Sequence, residues 1–310
     1  MSVAVGIGLS DYPFSSSNFF WDWVAACEEG GVDSLWQTDR LISRKPMLET
    51  VVTMAGIAGA TKRIKFGMNV VSLALRDPLL LAKQCATIDA LSSGRLLPAF
   101  GIGNIRAPEW LATSLSTKGR GQRTNEGLHI LRKLWTEDEV TFRGRFYNYQ
   151  SVSISPRPVQ RLLPMWIGGS SPAAVQRTAR FGTGWQAGFE TPFQVGETIA
   201  AIKEALYKEG REIDEDHYGA SFSYRFGAWA DPVVEQSAQL VRDRLGRDPN
   251  DIFVVGNAQD IVMRLVQYVD AGASKFILRP IASGDPDVLE QTNILIDEIL
   301  PEIQKLNSQC

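Results

Sequence analysis

Glu29-Gly30-Gly31-Val32-Asp33-Ser34-Leu35-Trp36-Gln37-Thr38-Asp39-Arg40 is the stretch on which the fold turns. Upstream of it, Phe20, Trp23, Val24 and Cys27 recur at i, i+3, i+4 and i+7, the spacing of one apolar helix face, with Ser17 as a candidate cap. Gly30-Gly31 ends that helix, because glycine reaches the backbone conformation of a helix stop without steric cost. Residues 34–38 then read as a strand, and Asp39-Arg40 stand just beyond it. A strand at 3–9 precedes the helix, so the unit is strand, helix, strand.

The same unit repeats outward to both ends. Val51, Met54, Ala55 and Ala58 mark the next helical face, 64–71 a third strand, and Pro78 opens a helix through Ser92. Further strands are predicted at 96–100, 164–167, 184–187, 221–229 and 275–278, with helices at 121–135, 171–181, 232–245 and 260–271 between them. Residues 140–149 read as a small hairpin insertion. Eight strands interleaved with helices predict an α/β fold, a (β/α)8 TIM barrel with insertions, as one domain over residues 1–310. An open doubly wound sheet is the alternative. It would carry a glycine-rich ligand loop after its first strand, and Gly8-Leu9-Ser10-Asp11 lacks that fingerprint.

Composition narrows the class. Hydrophobic residues make up 44% of the 310, enough for one large core, and the net charge of −3 leaves no basic stripe for nucleic acid. The apolar start lacks a basic flank, and no apolar run approaches the roughly 20 residues of a membrane span. Cys27, Cys85 and Cys310 show no metal or redox spacing. Cys27 and Cys85 are expected in the core, and Cys310 at a mobile end. A cytoplasmic enzyme without membrane or nucleic-acid partners is expected.

In a parallel barrel, chemistry gathers at the C-terminal strand ends. The only histidines, His129 and His217, lie far apart in sequence, so no zinc or iron site is expected. There is no Gly-x-Ser-x-Gly elbow, and Lys65 and Lys275 fall at strand starts, on the wrong face for a Schiff base. Gly168, Gly169, Ser170 and Ser171, followed by Pro172, can cradle a phosphate on a helix N-terminus. They can equally form an ordinary strand-to-helix loop with a serine cap. Gly101-Ile102-Gly103-Asn104 suits a flat ring better than a pyrophosphate, since Arg106 replaces the third glycine of a dinucleotide fingerprint; a plain turn is the alternative. Asp39 and Arg40 are candidate catalytic residues, with a structural ion pair as the alternative. Arg225 and Arg279 near the same face need anionic partners, and a cofactor phosphate is one. The long segment 106–119, with Trp110, is a candidate lid.

The residues now assembled resemble the bacterial luciferase-like monooxygenase family. The likeness runs through the 29–40 stretch and Leu81-Ala82-Lys83-Gln84-Cys85-Ala86-Thr87-Ile88-Asp89-Ala90-Leu91-Ser92-Ser93-Gly94-Arg95. It continues in Arg123-Thr124-Asn125-Glu126-Gly127-Leu128, Pro156-Arg157-Pro158-Val159-Gln160, Pro164-Met165-Trp166-Ile167-Gly168-Gly169-Ser170-Ser171 and Tyr268-Val269-Asp270-Ala271-Gly272. The resemblance implies an oxidoreductase acting on a small-molecule substrate with reduced FMN and oxygen, or with the deazaflavin coenzyme F-420. It implies that Asn69-Val70 is a cis peptide beneath the ring, that Gly101, Gly103 and Asn104 line the ring, and that Gly168, Gly169 and Ser170 hold the phosphate. It also implies a homodimer and, for FMN, a separate flavin reductase. Two departures stand out: Arg40 replaces a histidine frequent in deazaflavin-dependent members, and Arg106 aligns with the glutamate of the family's sugar-phosphate dehydrogenases, with Glu109 three residues later. Those dehydrogenases are therefore not the expected activity. A catalytically idle cofactor binder and a flavin-free barrel lyase or isomerase are the other readings.

Overall fold

The computed structural model describes residues 2–309, so Cys310 lies outside the described residues. Eleven strands are formed: β1 (Ala4–Leu9), β2 (Ser34–Gln37), β3 (Lys65–Ser72), β4 (Leu96–Gly101), β5 (Val140–Arg143), β6 (Asn148–Val152), β7 (Trp166–Gly168), β8 (Gly184–Gln186), β9 (Tyr218–Phe226), β10 (Phe253–Gly256) and β11 (Lys275–Pro280). Eight of them, β1, β2, β3, β4, β7, β8, β9 and β11, pair in parallel and close into a (β/α)8 barrel through β8–β9 and β11–β1. β5 and β6 form the expected antiparallel hairpin, running on to Val152.

The sequence pattern missed β10. It pairs with Ser223–Phe226 of β9, while β8 reaches only Tyr218 and Gly219 on the same strand, so β8 and β10 share one edge of β9 at different heights. Its apolar run Phe253-Val254-Val255, bounded by Asn250-Asp251 and Gly256-Asn257, carries the strand signal. Phe253 packs there with Val234, Ala238, Ile252 and Ile281 in a small separate core.

The helices follow the predicted faces, except that in Thr50–Ala60 Ala55 is exposed and Ile57 is buried. Phe20, Trp23, Val24 and Cys27 of helix Ser17–Glu29 are buried, but Ser16 rather than Ser17 caps it, accepting from the Phe19 N–H. Cys27 and Cys85 are buried and free, and burial pushes both thiols up, Cys85 to about 12. They therefore act as small apolar residues rather than nucleophiles. Lys65, at 3.4 Å, and Lys275 both pair with Asp33 at the N-terminal rim, the end away from the expected chemistry.

The barrel interior is filled by two indoles set against glycines. Trp36, Ala99, Trp166 and Ile277 form its core, with Val70 and Leu97 packed on them. A Cβ on Gly67 would lie 2.5 Å from the Trp36 ring and 2.2 Å from the Leu97 carbonyl oxygen; one on Gly184 would lie 2.7 Å from the Trp166 ring. Glycine weakens a strand, but here it makes the room that the large neighbours fill. Each buried indole removes on the order of 200 Å² from water, about 5 kcal/mol of transfer free energy. The result is a solid floor under the C-terminal mouth.

Candidate active site at the C-terminal mouth

Val70 caps that floor. The Asn69–Val70 peptide is cis, as the resemblance implies. Its side chain lies between the ends of β4 and β7: a Cβ on Gly101 would come within 2.6 Å of Val70 Cγ2, and one on Gly168 within 2.9 Å of Cγ1. Both positions exclude any side chain. Gly103 has φ +72°, where a Cβ would meet the Trp110 ring at 3.0 Å. Asn104 turns the chain by accepting the Arg106 N–H on Oδ1 at 2.9 Å. Val70, Gly101, Gly103 and Asn104 thus lie at the neighbouring ends of β3 and β4, with Asn69 preceding Val70 in the chain.

Asp39 and Arg40 do not act as a pair. Asp39 Oδ1 accepts from Arg76 Nη2 at 2.6 Å, and Oδ2 accepts the Ser72 N–H at 2.9 Å, with the side chain 4% exposed. Arg76 also donates to Glu49 Oε1 at 2.7 Å. Burial pulls the Arg76 guanidinium down, but Asp39 and Glu49 outweigh it and hold the group above its ordinary range. The alternative of an ion pair between Asp39 and Arg40 is therefore corrected: Asp39 ties the end of β2 to the end of β3. Arg40 stays exposed and makes no ion pair among the described residues. It lines a cavity of about 180 Å³ with Ser72, Leu75, Asn104, Arg106 and Glu109.

Glu109 comes from the segment expected to form a lid. That segment contains a short helix, Glu109–Ala112, held down rather than free. Trp110 is 4% exposed, and its indole N–H donates to the Asn104 carbonyl at 2.7 Å. Glu109 Oε1 accepts the Ile42 N–H at 3.3 Å, whereas Oε2 is buried without a partner. The structure thus brings Glu109 into the cavity although it stands three residues past the aligned position. Replacing Trp110 with Phe removes one hydrogen bond with little loss of packing. We expect a cost of about 1 kcal/mol, read as a lower urea midpoint with an unchanged m-value.

On β7, the barrel neighbour of β4, Gly168, Gly169, Ser170 and Ser171 lead from the strand into helix Pro172–Phe181. The expected serine cap is present. Ser171 caps the helix, accepting the Ala174 N–H at 3.3 Å, while Gly169, at φ +100°, turns the loop over the helix end. The Trp185 indole donates to the Gly169 carbonyl at 2.9 Å and fixes it. Ser170 Oγ donates to Glu190, a carboxylate that sequence reading overlooked.

The two arginines part company here. Arg225 donates to Asp231 at 3.1 Å, to Asp287 at 2.5 Å and to the Ile281 carbonyl at 3.2 Å. Its anionic partners are thus protein carboxylates, which corrects the expectation of a phosphate there. Arg279, at the end of β11, lies over the Phe189 ring with its guanidinium carbon 5.4 Å from the centroid. Its Nη1 is buried without a partner, and burial pushes the guanidinium down to about 10. The Gln186 Oε1, at the end of β8, is likewise buried and unpartnered.

Residues 10–245 match the family described as luciferase-like monooxygenase. An uncharacterised protein of Mycobacterium bovis is 33% identical over 168 residues, which are 54% of this chain and 57% of that protein. The chain thus matches little more than half the length of that relative. An F420-dependent glucose-6-phosphate dehydrogenase of Amycolatopsis mediterranei is 25% identical over 321 residues, covering 92% of this chain and 94% of that enzyme. A monooxygenase from Streptomyces bottropensis superposes with a TM-score of 0.81 at 21% identity, over 96% of this chain and 99% of the other. That likeness is one of fold. No helix among the described residues is long and apolar enough to cross a membrane.

Proposed function

We propose, since the chain belongs to the luciferase-like monooxygenase family, that it is an oxidoreductase whose C-terminal mouth binds reduced FMN or the deazaflavin coenzyme F-420 and a small organic substrate. The observation that carries this reading is Arg279: a buried guanidinium with a free Nη1 and no anion beside it among the described residues. A desolvated cation is kept where an anion visits. Gly168, Gly169 and Ser170 face the same task from a loop at a helix N-terminus, where backbone donors and the helix dipole favour a phosphate. Val70, seated where Gly101 and Gly168 carry no side chain, is the apolar face we assign to a flat ring, with Asn69, Gly103 and Asn104 as its other neighbours.

When bound, the cofactor supplies the redox chemistry, hydride transfer for the deazaflavin or oxygen activation for reduced FMN. The protein's residues orient and shield. Arg40 and Arg106 offer positive charge to the substrate at the open side of the cavity. Glu109 Oε2, unpartnered beside them, can accept or hold a substrate proton. The Trp110 anchor keeps the covering segment down and excludes water. Asp39, through Arg76 and the Ser72 N–H, holds the strand end on which the ring surface is built.

Anaerobic calorimetric titration with FMN, reduced FMN and F-420 tests the reading. We expect micromolar or tighter binding of at least one, with one site per chain. Absence of heat from all three at high micromolar concentration overturns it. Tight binding of reduced FMN alone points to a monooxygenase supplied by a separate flavin reductase; tight binding of F-420 points to hydride transfer.

A further inference from the structure

A carboxylate already occupies one of the donors expected to meet a phosphate. Glu190 Oε1 accepts from the Ser170 hydroxyl, and Oε2 accepts the Gly188 N–H at 2.6 Å. The Glu190 backbone is held as well, its carbonyl accepting from the Tyr268 hydroxyl at 2.8 Å. The adjacent residue, Phe189, is the one over which Arg279 lies. Arg279 nevertheless makes no ion pair with Glu190 or any other carboxylate among the described residues, and its Nη1 stays free. Arg247 donates to the Phe189 carbonyl and pairs with Asp251 at 3.6 Å, so its charge is partly spent elsewhere.

A hydroxyl donates one hydrogen. Ser170 can give it to Glu190 or to a phosphate, but not to both. A phosphate arriving at Ser170 therefore either displaces the carboxylate or lies beside it. Displacement costs the same whatever the phosphate carries, whereas lying beside it costs repulsion in proportion to the phosphate's charge. Glu190 adds one negative charge beside Ser170, and its repulsion falls about twice as heavily on a dianion as on a monoanion at the same place.

We propose that Glu190 sets the phosphate charge that the mouth accepts, favouring a singly charged phosphodiester over a doubly charged phosphomonoester. This rests on the flavin or deazaflavin reading above and deepens it. FMN carries a phosphomonoester whose second ionisation lies near pH 6, so it bears close to two negative charges at neutral pH. F-420 carries a phosphodiester, with one charge at that group and its further carboxylates on the tail beyond it. At the phosphate itself, Glu190 thereby disfavours FMN more than the deazaflavin. It is a specificity-determining residue, acting through electrostatics and through its hold on Ser170.

The test compares the full-length protein with Glu190→Gln, using equilibrium titrations with riboflavin, FMN and F-420 at neutral pH and low salt. Glutamine keeps the shape and removes the charge. FMN should bind the variant about tenfold more tightly than it binds the wild type. Riboflavin, which lacks the phosphate, should be unchanged, and F-420 should gain less than FMN. Glu190→Ala should move the FMN-to-riboflavin affinity ratio in the same direction, and thermal melting checks that both variants are folded. Binding with that ratio unchanged or lowered in both variants overturns the role of Glu190 and leaves the cofactor reading standing. Failure of all three compounds to bind any of the proteins overturns the cofactor reading itself, and this inference with it.

Discussion

Replacing Arg279 with methionine is expected to weaken binding of the phosphate-bearing cofactor by roughly 10- to 150-fold while leaving the protein as stable as before or more so, since a charge-assisted hydrogen bond contributes about 1.5–3 kcal/mol. The two effects have opposite signs for one reason. Burial holds the Arg279 guanidinium down, to about 10, and no protein anion compensates. A base whose folded value lies below its unfolded value destabilises the fold at every pH below the folded value, which includes neutral pH. Methionine fills much of the same volume against Phe189 and Gly8 without the charge, and up to about 2 kcal/mol of stability is expected in return. A bound anion removes the same penalty, so inorganic phosphate should raise the melting temperature of the wild type and not that of Arg279→Met. A variant that is destabilised yet binds the cofactor as the wild type does would show that Arg279 serves the fold rather than the ligand.

Asp39→Ala should behave in the opposite way, with a large loss of stability as its primary effect. Asp39 is buried against Arg76, and its second oxygen accepts the Ser72 N–H. Alanine leaves a mostly buried guanidinium with Glu49 alone and a backbone N–H without an acceptor. Breaking a buried pair by removing one partner costs several kcal/mol, and Glu49 offsets part of it, so about 2–4 kcal/mol is expected from urea unfolding. Adding Arg76→Met to Asp39→Ala should recover more than half of that loss, because the stranded charge is gone. If Asp39→Ala instead retains full stability and loses only turnover, Asp39 acts on substrate and the ion pair is incidental.

The barrel was legible because its signals are local. The i, i+3, i+4 spacing of Phe20, Trp23 and Val24 and the glycine stop at Gly30-Gly31 need no knowledge of distant chain. The surface around Val70 could be named through a resemblance, although its members come from three strands. Pairings between strand ends were not legible. Asp39 stands beside Arg40 in sequence, but Arg76, thirty-seven residues on, takes its charge. Arg225 and Arg279 looked alike as strand-end arginines. Only the positions of Asp231 and Asp287 distinguish the satisfied one from the free one. Glu190 was overlooked because the strand before it is three residues long and its loop carries no motif. A survey of every carboxylate within five residues of a strand end would have raised it.

The indole-packed floor has a kinetic consequence. With Trp36 and Trp166 packed in the barrel below Val70, the proposed site can be reached only from the C-terminal side. Whichever of cofactor and substrate lies deeper must enter first and leave last, so steady-state kinetics should show a compulsory order of addition, and the outer ligand at saturation should trap the inner one.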